Sequence, residues 1–392
     1  MKRRKFLRYG AIATSSFLLN IDVVNYNSSN SLLSASMSHK KLYDWVILYW
    51  MPYDNNLSSF VTPILQMLKK GVNSENILVV VQSDFSGEKQ LSRHIISKGK
   101  INIQKLDTAN SGSEEVFAEY IEWAKSQYKA KKWAIVFLGH GGRLDEISPD
   151  ENPTLGKKLE TKWMNIQKLS NIIADFNREV NNSVELLFFQ NCNKGTIEAH
   201  YTVRNTAKYT LSSQLTLGAP NYYYESMLEF LGHHPEINGG QLAEKIIEFE
   251  RSDMYYSYIT NNRAVRQLPE KINSLIDSII LSGIKFIETD ELKPYFYVQD
   301  RLVDFILFFE TITSKSKVDK QKLNDFISFF KQSVIYRLQK DGTLLTPKPE
   351  YKIFSGLGMF FPTNRNELDK YRYLQVFSDL KLVELFNSIL FN

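Results

Sequence analysis

Four short apolar runs, separated by turns and helix-like patterns, constrain the fold of this 392-residue chain most strongly. They cover residues 44–50, 77–82, 133–138 and 184–189. Each has the length of a strand that is buried on both faces. Buried strands that alternate with helices form a parallel sheet with helices packed on both sides. We therefore predict an α/β fold with a mostly parallel sheet and helices on both faces.

The pattern changes after about residue 263. Helical spacing dominates there, for example at Leu302, Phe305, Ile306 and Phe309. A late apolar run at 356–362 indicates one more strand. We predict an α/β core at residues 41–263 and a mainly helical C-terminal subdomain at residues 264–392.

The first 36 residues have the features of an export signal. Arg3 and Arg4 lie in a basic head that precedes Phe6, Leu7 and a weakly apolar stretch, a pattern of the twin-arginine type. Small residues before position 37 indicate cleavage after Ser36. We predict export to the periplasm, the cell surface or the medium, with the export machinery and signal peptidase as partners. A frayed basic terminus remains the alternative, since the apolar stretch of about 13 residues is too short to span a membrane.

The net charge of +5 comes mostly from this segment. Residues 1–36 contain five Lys and Arg and one Asp, so about +1 remains on the rest of the chain. The basic residues that follow are interspersed with acidic ones and form no basic helix face. Nucleic acid is therefore not an expected partner.

The single cysteine excludes an internal disulfide and any thiolate-based zinc or iron–sulfur site. Cys192 follows the run at 184–189, and His140 follows the run at 133–138. Carboxyl ends of neighbouring parallel strands meet at one sheet edge, where an imidazole can promote thiolate formation. The backbone N–H groups of Gly141 and Cys192 could stabilise an oxyanion. The alternative is a small buried cysteine beside an ordinary glycine turn.

The chain resembles the clostripain family of cysteine peptidases, which have a caspase-like fold. The resemblance is carried by segments 53–57, 82–84, 140–142, 192–199, 211–214, 218–224, 300–305 and 356–362. It implies that Cys192 is the nucleophile, that His140 is its proton-transfer partner, and that Gly141 and Cys192 supply the oxyanion hole. Proteins or peptides would be the substrates.

The chain departs from the family pattern at the expected substrate pocket. Gln190 stands where the family usually has an acid that binds a basic P1 side chain, and Leu215 stands where the family has Glu. We place Gln190, Ser213, Gln214 and Tyr223 at substrate-binding positions. The P1 preference is expected to differ from the family's basic one, because no carboxylate is left to pair with a guanidinium.

Several functional questions stay open at this level. Members of the clostripain family can be activated by cleavage of a loop after the histidine, so the polar segment 143–162 is a candidate for such cleavage, with an ordinary solvated loop as the alternative. Some members also need calcium. Asp54 and Asp84 follow strand ends and could bind calcium, orient His140 or simply cap a helix. No dedicated metal site is evident. An inactive caspase-like binding or scaffold protein is the main alternative to a peptidase. A thiol redox protein is disfavoured because Cys192 has no resolving cysteine. The oligomeric state is not predicted.

Overall fold

A central nine-stranded sheet organises the computed structural model, which describes residues 40–151, 161–250, 257–285, 290–339 and 354–391. The predicted export signal and part of the predicted cleavage segment, residues 152–160, lie outside these ranges. The strands are β1 Leu42–Tyr53, β2 Ile77–Phe85, β3 Ser92–Ser97, β4 Lys100–Lys105, β5 Lys129–Leu138, β6 Glu146–Asp150, β7 Lys162–Asn165, β8 Val184–Gln190, β9 Tyr209–Ser213, β10 Ser257–Asn261, β11 Tyr295–Tyr297, β12 Asp300–Asp304, β13 Ile335–Gln339 and β14 Gly358–Phe360.

The helices follow the strands in the alternation that the sequence predicts. They are α1 Val61–Gly71, α2 Glu114–Gln127, α3 Ile166–Glu179, α4 Ile197–Thr202, α5 Tyr224–His233, α6 Gly239–Phe249, α7 Asn262–Val265, α8 Leu268–Leu281, α9 Phe305–Lys315, α10 Lys320–Phe329, α11 Arg365–Tyr371, α12 Gln375–Asp379 and α13 Leu382–Phe386. Single 3₁₀ turns lie at Ser58–Phe60 and Asp290–Leu292, and single π turns at Phe330–Val334 and Asn387–Phe391.

The sheet order is β13-β10-β9-β8-β5-β1-β2-β3-β4. The five strands from β9 to β2 are parallel, and antiparallel strands extend the sheet at both edges. The predicted mostly parallel sheet is therefore confirmed. Strands β3 and β4 form an antiparallel hairpin at one edge of the sheet.

Helices cover both faces of this sheet. Alternate residues of β1 show the division, because Ile47 and Tyr49 pack with α1, α5 and α6 while Leu48 and Trp50 pack with α2 and α3. Side chains of Ser113, Asn165 and Thr196 cap α2, α3 and α4 by accepting backbone N–H bonds. The capped helices return the chain to the amino end of each next strand.

The part of the chain after residue 263 joins the same sheet. β13 pairs with β10, across the expected boundary, and the described residues belong to one compact unit. The division into a core and a C-terminal subdomain stays a prediction. The helical assignment of Leu302 is wrong, since Leu302 lies in β12 and α9 begins at Phe305. Because β12 and α9 both bury their apolar residues, the spacing of those residues alone placed the start of the helix too early.

The segment expected to be a polar loop also contains structure. β6 pairs with β7 in a two-stranded sheet directly after the His140 turn. None of the helices in the described ranges combines the length and the apolar character needed to cross a membrane.

Candidate active site

His140 and Cys192 lie just beyond the carboxyl ends of neighbouring strands. β5 and β8 run parallel, and Leu138 pairs with Gln190. His140 comes two residues after Leu138, and Cys192 comes two residues after Gln190. Gly139 allows the turn with a φ of 106°. The Asn191 Nδ2 donates to the carbonyl oxygens of Gly139 at 2.9 Å and His140 at 3.2 Å. The predicted juxtaposition of the two strand ends is therefore present.

Gly141 packs directly on the backbone of Cys192. A Cβ atom added to Gly141 would lie 2.2 Å from the carbonyl oxygen of Cys192, which leaves no room for a side chain. The residues on either side of Gly141 form backbone hydrogen bonds with β6. The Gly142 N–H donates to the carbonyl oxygen of Glu146, and the His140 carbonyl oxygen accepts from the N–H of Ser148. Among the described residues, the N–H of Gly141 has no such partner. It is available to a substrate oxygen.

The imidazole of His140 is oriented by a residue from the loop after β1. Its Nε2 lies 2.8 Å from Asn56 Oδ1. Because this oxygen is an acceptor, the contact places the proton on Nε2 and leaves Nδ1 free to act as a base. Burial lowers the pKa of His140, so the ring is neutral at pH 7. Asn56 belongs to a segment that the sequence singled out, but its role had not been predicted.

The thiol of Cys192 belongs to a partly exposed residue. Its Sγ lies 3.4 Å from the carbonyl oxygen of Leu217. Burial raises the pKa of Cys192, while Leu217, Tyr297 and Lys194 oppose that shift. Within the described part of the chain, no hydrogen bond joins this thiol to His140. At rest, Cys192 is therefore a thiol and His140 a neutral imidazole, at the ends of neighbouring strands.

Two further side chains contact the same segment and had not been predicted. The Tyr297 hydroxyl donates to the carbonyl oxygen of Gly141 at 2.6 Å. The Lys194 Nζ donates to the carbonyl oxygens of Gly142 at 3.3 Å and Arg143 at 2.5 Å. Lys194 could have been predicted as a site residue, because it lies two residues after Cys192 in the sequence. Tyr297 comes from β11, and nothing in its local sequence indicates the contact.

Gln190 lies in a buried polar network beside the nucleophile. Its Nε2 donates to Asn221 Oδ1 and to the Tyr224 hydroxyl, and its Oε1 accepts from the Tyr223 hydroxyl at 2.8 Å. The Tyr223 and Tyr224 rings stack with centroids 4.2 Å apart. Tyr223 is fully buried and holds Gln190 in place. Both N–H donors of Gln190 are used, so one lone pair on Oε1 remains for another donor.

Ser213 and Gln214 are also buried at the end of β9. The Ser213 hydroxyl accepts from the N–H of Leu215. Gln214 donates to Asp304 and accepts from the N–H of Gly356, which ties β9 to the C-terminal part of the chain. Their side-chain contacts are to the protein itself, and a role in substrate binding stays a prediction.

Three carboxylates converge near the strand ends on the β1 side. One oxygen each from Asp54, Asp84 and Asp150 lies within 4.8 Å of the others. Asp54 and Asp84 are buried, and both oxygens of Asp54 and one of Asp84 have no hydrogen-bond partner among the described residues. Burial and the neighbouring carboxylates raise the pKa of Asp54 to about 8. Oxygen ligands of this kind suit a hard cation such as Ca²⁺.

This fold and site agree with a known family. The sequence model described as the Clostripain family matches residues 49–388. The chain belongs to the clostripain family. Clostripain from Hathewaya histolytica is 24% identical over 276 residues, which cover 58% of this chain and 52% of that protein. The chain thus spans about half the length of this curated relative.

Solved structures of clostripain-type proteases share the architecture. An inactive zymogen C11 protease from Parabacteroides distasonis is 18% identical with a TM-score of 0.65, over 86% of this chain and 98% of that one. A secreted C11 cysteine protease from Bacteroides thetaiotaomicron, in complex with an irreversible peptide inhibitor, is 17% identical with a TM-score of 0.67, over 87% and 99%. The predicted caspase-like fold is thus confirmed.

Proposed function

We propose that this member of the clostripain family is a cysteine endopeptidase with Cys192 as nucleophile and His140 as its proton-transfer partner. The observation that carries the proposal is the packing of the Gly141 backbone on Cys192, with His140 next in sequence to Gly141 and the His140 Nδ1 left free by the Asn56 contact. This arrangement offers a nucleophile, a base and an unpaired N–H donor at one sheet edge. The related secreted protease bound to a peptide inhibitor supports peptides as the substrate class.

The reaction would begin from the neutral pair. His140 takes the thiol proton as Cys192 Sγ attacks the scissile carbonyl carbon, and the carbonyl π electrons move to oxygen. The N–H groups of Gly141 and Cys192 donate to the resulting oxyanion. The protonated His140 then transfers its proton to the leaving amine. Water hydrolyses the thioester and releases the acid product with the free thiol.

The pocket suggests a neutral P1 preference. Gln190 takes the place of the family's carboxylate, and its hydrogen bonds to Asn221, Tyr223 and Tyr224 keep an uncharged amide at this position. A basic P1 side chain would lose its water shell there without gaining a counter-charge. We therefore infer that small neutral or polar P1 residues, which can donate to the open lone pair of Gln190, are preferred.

The test is a fluorogenic peptide library with every P1 residue, assayed with wild-type protein, Cys192→Ala and His140→Ala. Cleavage by the wild type that disappears in both variants supports the proposal. Equal, background signals from all three proteins would instead favour an inactive binding or scaffold protein. Melting temperatures of the three proteins show whether each variant is folded.

We also propose a calcium site formed by Asp54, Asp84 and Asp150. The unpartnered buried oxygens of Asp54 and Asp84 support it, since a buried carboxylate without donors is otherwise costly. A bound cation would supply positive charge that neutralises these carboxylates. Through the loop after β1 it would fix the position of Asn56, which contacts His140.

Export and maturation complete the proposal. We infer that residues 1–36 direct export through the twin-arginine route and are removed after Ser36. Amino-terminal sequencing of the protein collected outside the cytoplasm tests this, and a sequence starting at Met1 would contradict it. The segment 143–162 is either cut, as in activated members of the family, or an ordinary loop of an intact chain. Comparison of the intact masses of wild type and Cys192→Ala distinguishes self-cleavage from a chain that stays whole.

A further inference from the structure

Lys194 is a buried cation beside the nucleophile that the mechanism does not use. Its side chain is 1% exposed, and its Nζ donates to the carbonyl oxygens of Gly142 and Arg143. Lysine is rarely buried to this degree without a carboxylate partner. Among the described residues, no carboxylate forms an ion pair with it. Two backbone carbonyls therefore take the place of a counter-ion.

These contacts are part of a larger set. Five successive carbonyl oxygens, those of residues 139–143, are held by three side chains. Asn191 holds the first two, Tyr297 holds that of Gly141, and Lys194 holds the last two. Asn191 and Lys194 flank Cys192 in sequence, so the chain segment carrying the nucleophile also fixes the segment carrying His140.

Several nearby groups stabilise the positive charge of Lys194, whereas its burial disfavours that charge. Asp145 and Glu146 from the segment after His140, Asp300 from β12, and Cys192 all favour its protonated form. Burial outweighs them and lowers the pKa of Lys194 to about 8. The side chain is therefore mostly an ammonium at pH 7, and loses its charge as the pH rises above about 8. The same charge favours the thiolate of Cys192.

We propose that Lys194 is a positioning residue of this active site, which fixes the Gly141 N–H against Cys192 by binding the carbonyl oxygens of Gly142 and Arg143 and which favours the thiolate by its charge. The inference rests on the proposed peptidase function. A backbone N–H stabilises an oxyanion only if it is already aimed at it, so loosening this segment weakens transition-state binding more than substrate binding.

The variants separate the charge from the hydrogen bonds. Lys194→Met keeps the length and removes both, whereas Lys194→Gln keeps a donor without the charge. Lys132→Met is the matched control, because the Lys132 Nζ also donates to backbone carbonyls, those of Pro235, Glu236 and Ile237, away from this site. Melting temperatures are measured for all three variants.

Two readouts test the role. For Lys194→Met we expect kcat on the best library peptide to fall about tenfold or more with KM little changed. We expect the rate of Cys192 alkylation by iodoacetamide at pH 7, where Lys194 is mostly an ammonium, to fall roughly threefold to tenfold, because a positive charge that favours the thiolate is lost. Lys194→Gln should show the same slower alkylation with a smaller loss of kcat. Lys132→Met should change neither quantity.

An unchanged kcat and an unchanged alkylation rate at pH 7 in Lys194→Met would overturn the proposal. Equal losses in Lys194→Met and Lys132→Met would also overturn it, because both would then reflect general destabilisation. If the wild type cleaves no peptide, the peptidase proposal fails, but alkylation and hydrogen exchange of residues 139–143 still test Lys194. Slower alkylation at pH 7 and faster exchange in Lys194→Met would support positioning, and no change in either would refute it.

Discussion

The hydroxyl of Tyr297 donates to the carbonyl oxygen of Gly141 across 156 residues of sequence. Tyr297 ends β11, in the small sheet with β12 and β14, whereas Gly141 follows the central strand β5. The C-terminal part of the chain therefore contacts the candidate oxyanion hole directly. The contribution of this part of the chain to activity can be measured by removing single hydrogen bonds.

Tyr297→Phe removes this hydrogen bond while keeping the ring. We expect kcat to fall roughly fivefold to tenfold with KM little changed, because a hydrogen bond of about 1 kcal/mol that orients the Gly141 N–H is lost. Steady-state kinetics on the best library peptide measure it. Tyr336→Phe, at an exposed tyrosine, is the control. Equal rates for Tyr297→Phe and wild type would contradict the positioning of Gly141 by Tyr297.

Gly141→Ala should remove peptidase activity by displacing the segment from Cys192. The added Cβ would meet the Cys192 carbonyl oxygen at 2.2 Å, so the backbone must move. Gly99→Ala is the comparison, since Gly99 has a positive φ but no atom within 4 Å of the added Cβ. We expect that variant to lose only about 1 kcal/mol of stability and to keep its activity. Full activity in Gly141→Ala would rule out this packing.

Asn56→Ala should lower kcat about tenfold or more, since the His140 imidazole loses the acceptor that fixes its tautomer. Asn56→Asp keeps the acceptor and should retain more activity than Asn56→Ala. The two variants are compared by kcat and by melting temperature. If both had wild-type kcat values, His140 would not depend on Asn56.

Gln190→Glu should introduce cleavage after Arg and Lys. The carboxylate keeps the approximate shape of the amide and can accept from the Tyr223 and Tyr224 hydroxyls, and the amide of Asn221 can rotate to donate. We expect kcat/KM for basic P1 peptides to rise at least about tenfold, the effect of a new charge pair. Gln190→Leu serves as the uncharged control. An unchanged P1 profile would show that Gln190 does not line the pocket.

Added Ca²⁺ should raise the melting temperature of the wild type, because a ligand that binds only the folded state stabilises it. Asp84→Asn should reduce the rise, since one ligand of the proposed set loses its charge. Mg²⁺, which prefers a smaller octahedral site, should have a weaker effect. Differential scanning calorimetry with and without a chelator measures both. No shift with Ca²⁺ in the wild type would refute the calcium proposal.

Local sequence patterns predicted the elements that are long and buried. β5 and β8 each contain a largely apolar run, so their positions, their parallel pairing and the polar residues after them could be inferred. β6 and β7 are short and carry mixed residues, and their pattern did not distinguish them from a loop. Leu302 was assigned to a helix because a buried strand leading into a buried helix can imitate helical spacing.

The sequence by itself determined the parallel sheet and the two strand ends that carry His140 and Cys192, because hydrophobic periodicity and strand polarity are properties of neighbouring residues. The tertiary structure decided what surrounds them. Asn56, Lys194 and Tyr297 act through one or two hydrogen bonds each to groups far away in sequence. Such contacts depend on directions and distances of a few ångströms that only the packed chain defines.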